Sequence, residues 1–128
     1  MARLTEFEFV DGILAVLALK GYKSFPVKTP EFDKRMHAAF EILMKRAPKA
    51  ELDVRFRIIP DKIHGDSNTA YQSVRSAIKR SLIRIDSTSQ EAFIQLSRKG
   101  AEAILTRTPG GKELFLDLAD AFLRPVSL

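Results

Sequence analysis

The sequence predicts an α+β fold: a small three-stranded antiparallel sheet with about five helices around it. Three observations predict it. Apolar residues recur at helical spacing in several capped segments, one segment alternates strictly, and an Ile-rich pair of segments flanks a polar turn. At 128 residues the chain has the length of one domain. It divides into a two-helix part (1–50), a central part (51–106) and a terminal helix (107–128).

Thr5 followed by Glu8 is a capping-box pattern, so a helix starts there. Val10, Ile13, Leu14 and Leu17 repeat at helical spacing, and Ala15, Val16, Ala18 and Leu19 make the other faces apolar, which predicts a central helix. Gly21 sits where a left-handed cap is cheapest. Thr29-Pro30 reads as an N-cap with Pro in the first turn, ahead of the stripe Phe32, Met36, Phe40 and Leu43, which Pro48 stops. Over residues 51–58, Leu52, Val54, Phe56 and Ile58 alternate with Asp53, Arg55 and Arg57, the pattern of a half-buried strand ending before Pro60.

Asp66, Ser67 or Asn68 can cap a helix over 67–81. Tyr71, Val74 and Ile78 are assigned to its core face, with Gln72, Ser73, Arg75, Ser76, Lys79 and Arg80 facing outward. Leu82 to Asp86 and Glu91 to Leu96 form a hairpin around Ser87-Thr88-Ser89-Gln90, with Ala92, Ile94 and Leu96 on one face. A lone hairpin is marginal in water, so the 51–58 strand is expected to complete the sheet. Ser97 caps a helix through Leu105, with Ala101, Ile104 and Leu105 inward. Pro109-Gly110-Gly111 breaks the chain before a last helix carrying Phe115, Leu118 and Phe122, which ends at Pro125.

The net charge is +5, with a pI near 9.7. Residues 71–100 hold six basic and two acidic residues, so most of the excess lies in one stretch. Either this is a solvated helix face or it meets a polyanion or an acidic protein. No aromatic is interleaved with the charges along the chain, which argues against single-strand stacking. There is no cysteine, which excludes disulfides and thiolate metal sites and suits a reducing, cytoplasmic compartment. The longest apolar run, Ile13 to Leu19, is too short to span a bilayer, and Glu6, Glu8 and Asp11 break any signal-peptide pattern.

Residues 67–105 resemble the second half of a winged-helix DNA-binding domain. The resemblance rests on the order helix, strand, turn, strand, helix and on the run Leu96-Ser97-Arg98-Lys99-Gly100-Ala101-Glu102-Ala103-Ile104-Leu105. It implies that helix 67–81 is a recognition helix for the major groove and that Ser87 to Gln90 form the wing tip, which carries no Lys or Arg. Duplex contacts are then expected from Gln72, Arg75, Ser76, Lys79, Arg80, Arg84, Arg98 and Lys99. The resemblance implies a regulatory protein that binds double-stranded DNA.

The terminal helix has a wide apolar face. Phe115, Leu118 and Phe122 serve either as core or as a surface for a homodimer or another protein. The competing function is thus a protein-interaction module. No enzyme, cofactor or metal is expected. His64-Gly65-Asp66-Ser67 holds triad residue types but reads as a turn and cap, since triads are assembled from distant segments. His37, beside Met36 and Phe40, reads as structural. Pro109-Gly110-Gly111-Lys112 lacks phosphate-loop spacing and reads as an interhelix turn.

Overall fold

The computed structural model describes residues 1–28, 31–58 and 68–124, with the side chains of 68–71 outside the described set. In chain order the elements are β1 (Ala2–Leu4), α1 (Glu6–Leu19), β2 (Ser24–Pro26), α2 (Glu31–Arg46), β3 (Leu52–Val54), α3 (Asn68–Lys79), β4 (Ile83–Asp86), β5 (Glu91–Ile94), α4 (Arg98–Arg107) and α5 (Gly111–Leu123). The fold is α+β, with the five helices, a three-stranded antiparallel sheet and a separate parallel pair.

Helix α1 begins at the expected capping box. The Thr5 hydroxyl accepts from the Glu8 N–H, and the Glu8 carboxylate accepts from the Thr5 N–H at 2.9 Å. Every residue from Phe9 to Leu17 is buried, Asp11 and Gly12 included. The helix is central because α3, α4 and α5 all pack against it. Helix α5 also lies along α2.

The sheet order is β2-β5-β4, and this corrects the expected pairing. The hairpin is completed by Ser24–Pro26, not by the alternating 51–58 segment. Its antiparallel register aligns Ser24 with Phe93, Phe25 with Ala92 and Pro26 with Glu91. The main-chain bonds Ile94 N–H to Lys23 O and Val27 N–H to Gln90 O flank this register. Pro26, which has no N–H, is therefore tolerated in an edge strand. Of the alternating segment only Leu52–Val54 is strand, shorter than the expected 51–58, and it lies parallel to β1, aligning Ala2 with Leu52 and Leu4 with Val54. Its facing follows the pattern: Leu52 and Ile58 are buried, whereas Arg55 and Arg57 are exposed. The caps expected at Thr29-Pro30 and Asp66-Ser67, the stops at Pro60 and Pro125, and the His64–Ser67 turn lie outside the described residues.

Two phenylalanine triads hold the layers together. Phe25 of β2, Phe32 of α2 and Phe122 of α5 meet with ring centroids 5.6 to 6.2 Å apart. Phe9, Phe40 and Phe56 meet at 5.6 to 6.3 Å and join α1 and α2 to the chain beyond β3. Phe25 and Phe32 are stacked and the other pairs are edge-to-face or tilted, arrangements that add favourable quadrupole contact to area burial.

Phe115, Leu118 and Phe122 are all buried within the chain. The wide apolar face of the terminal helix is consumed by α1 and α2, which corrects its reading as an oligomer surface. The closest approach is at Gly12, where an added Cβ would clash with the Cδ1–Cε1 edge of the Phe115 ring. Gly12→Ala is therefore expected to destabilise the fold by about 1–3 kcal/mol, the cost of overpacking. Helix propensity alone would instead gain about 1 kcal/mol. Urea denaturation reads the sign, and Phe115→Leu in the Gly12→Ala background should recover part of the loss.

Candidate nucleic-acid interface

Helix α3 packs on α1 and β4 through Ser73, Val74 and Ala77, all buried. Two outward or inward assignments change. Ser73 is fully buried rather than outward, and Ile78 is 39% exposed rather than in the core. The cause is a core face centred on positions 73, 74 and 77, which turns position 78 away. Ala77 and Ser73 are small, so α3 can approach α1 closely there. The core assignment of Tyr71 lies outside the described side chains.

Polar contacts also tie α3 to α1. The Ser73 hydroxyl donates to Glu6 Oε1 at 2.7 Å. Arg80, one residue past α3, makes a bidentate pair with Asp11, Nη1 to Oδ2 at 2.5 Å and Nη2 to Oδ1 at 3.0 Å. Its Nε also donates to the Ser76 hydroxyl at 3.2 Å. The Asp11 side chain is only 8% exposed, so Arg80 supplies the countercharge that a buried carboxylate requires. That hydrogen bond holds the Arg80 guanidinium above its ordinary range, against the opposing effect of burial. Arg80 and Ser76 were expected to face a partner; Arg80 remains 40% exposed but its charge is paired with the buried Asp11, and Ser76 is half-buried beside it.

The remaining expected residues are exposed. Gln72, Arg75 and Lys79 lie at spacings of three and four along α3 and form one outward stripe. Arg84 is exposed on β4, with its guanidinium carbon 4.6 Å from the Phe93 ring centroid. Arg98 and Lys99 are exposed in the first turn of α4, behind the Ser97 cap. The Gln95 N–H donates to Leu82 O at 2.8 Å, which ties the approach to α4 to the chain just after α3. Cations in the first turn of a helix oppose its dipole, so helix stability does not account for Arg98 and Lys99.

At the hairpin turn the Asp86 carboxylate accepts the Thr88 N–H at 3.0 Å. That bond and one from Ser89 hold its carboxyl below the usual range. The neighbouring Glu91 accepts the Ser24 hydroxyl at 3.0 Å. His37 is structural: Nδ1 lies 2.8 Å from Ile58 O and Nε2 lies 2.9 Å from Glu41. Gly110 and Gly111 both have positive φ and make the turn between α4 and α5. Among the described residues, no group of three or more His, Asp or Glu is placed to hold a metal ion, and no helix is long and apolar enough to cross a membrane.

Sequence reasoning missed Asp11 and Phe93 as partners of the arginines. Asp11 carried a usable signal: a carboxylate inside an otherwise apolar helix demands a cation from elsewhere. Phe93 carried none until the hairpin register set it opposite Arg84. No protein-family model matches the chain, and no curated protein or solved structure matches it.

Three outcomes test these contacts. Arg80→Ala should cost about 2–3 kcal/mol in urea unfolding, because it strands the Asp11 charge. Asp11→Ala/Arg80→Ala should cost less than the two single losses combined. Burial holds the Glu6 carboxyl above its ordinary range, while the Ser73 hydrogen bond pulls it back down. Ser73→Ala should therefore move the Glu6 titration to higher pH, as read by NMR. Since the folded value is raised, the Glu6 contribution favours the native state most at low pH and fades as pH rises through that value.

Proposed function

We propose that this protein binds double-stranded DNA through α3 and the β4–β5 hairpin, in a regulatory role. The observation that carries the proposal is the exposed basic stripe of Arg75 and Lys79 on α3, followed by Arg84 on the next strand. A helix presenting such a stripe fits the major groove, and Arg and Lys supply phosphate contacts that fix its position.

Topology supports the same reading. With β3 set aside, the elements α1, β2, α2, α3, β4, turn and β5, with β5 between β2 and β4, follow the order of helices and strands in winged-helix domains. Strand β2 supplies the sheet member that precedes the helix pair. The departure from that plan lies between α2 and α3, where β3 intervenes. The hairpin tip carries no Lys or Arg, so the helix and Arg84 take the larger part. Arg98 and Lys99 extend the cationic surface at the start of α4. The competing reading, a protein-docking module built on the terminal helix, loses its surface because Phe115, Leu118 and Phe122 are internal.

Fluorescence anisotropy with a duplex of mixed sequence tests the proposal at two salt concentrations. Affinity should fall steeply with salt, and the slope of log K against log salt should shrink by about 0.9 for each phosphate contact removed. Arg75→Ala/Lys79→Ala should show that reduction. No binding at low salt, or binding indifferent to this double substitution, overturns the proposal.

A further inference from the structure

Arg84 differs from Arg80 in what holds it. Among the described residues Arg80 is neutralised by a carboxylate, whereas Arg84 lies over an aromatic ring and forms no ion pair. The hairpin register places Arg84 directly across from Phe93, and Ser24 across from Phe93 on its other side. Arg84, Phe93, Ser24, Glu91 and Asp86 therefore share the sheet face opposite to Ile83, Ala92 and Phe25. Of the two carboxylates of that face, Glu91 accepts the Ser24 hydroxyl and Asp86 the turn amide of Thr88; Asp86 also feels the Arg84 charge, without a direct ion pair between them.

We infer that Phe93 is a positioning residue for DNA binding, holding Arg84 so that its guanidinium N–H groups meet a backbone phosphate beside the groove occupied by α3. This deepens the proposed duplex binding and rests on it. A guanidinium lying on a ring keeps its donors at its edge, and those donors match phosphate oxygens bidentately. The ring attracts the cation without consuming a donor, which a carboxylate would do. Holding the side chain in place before binding also reduces the rotamer freedom lost on association. The wing tip lacks a cation of its own, so on the hairpin this contact falls to Arg84.

The test is a double-mutant cycle read by duplex affinity, with urea midpoints recorded for every variant. Phe93→Leu keeps apolar bulk but removes the ring face, and should weaken binding about two- to fivefold. It leaves the Arg84 charge in place. Phe93→Tyr should bind like the original protein. Arg84→Ala should weaken binding and lower the salt slope by about 0.9. In the Arg84→Ala background, Phe93→Leu should have no further effect on affinity. A merely structural Phe93 would instead show the same loss in both backgrounds, and that result overturns the inference, as does full affinity in Phe93→Leu. If duplex binding responds to Arg75→Ala/Lys79→Ala but not to Phe93 or Arg84, the inference fails alone. If the unaltered protein binds no duplex at low salt, the functional reading fails with it.

Discussion

A helix buried on nearly every side must have each of its polar groups answered from another element. In α1 that constraint falls on Asp11, and Arg80 answers it. The pairing fixes more than a charge. It sets the end of α3 against the middle of α1, while Ser73 joins the middle of α3 to Glu6 at the start of α1. With two points fixed and Val74 and Ala77 buried, the outward direction of Gln72, Arg75 and Lys79 follows from helical geometry. The basic stripe is thus oriented by polar contacts and by the buried Val74 and Ala77 on the other faces of its own helix.

Among the cations of the basic stretch, Arg80 and Arg84 are separated by partner. Arg80 lies close along the chain to Lys79 and Arg84, and composition cannot distinguish the three. The distinction is three-dimensional: one meets a buried carboxylate and another an aromatic ring. A count of charge along the stretch therefore overstates the charge offered to a ligand.

The helices were legible in the sequence because their signals are local. The Thr5–Glu8 box, the Ser97 cap and the Pro109-Gly110-Gly111 break act over a few residues, and the structure follows them. The hairpin was legible for the same reason. Strands β1 and β2 were not, because three residues carry too short a pattern to show alternation, and Pro26 argues against a strand unless its edge position is known. The 51–58 alternation correctly gave the facing of its side chains but not the partner, since a period of two says nothing about which strand lies alongside. Ser73 and Ile78 were misplaced because polarity was taken as a guide to facing. A small hydroxyl residue with a partner fits the tight α1–α3 contact, whereas Ile78 falls on the open side.

Pro26 also governs what may attach to the sheet. The bonds at Lys23 and Val27 direct alternate main-chain groups toward β5, so position 26 faces the free margin of β2. A proline there offers an incoming strand no donor. A second copy of the chain that tried to lengthen the sheet on this side would leave one of its own carbonyls without a hydrogen-bond donor, so the residue guards the molecule against strand-to-strand self-association.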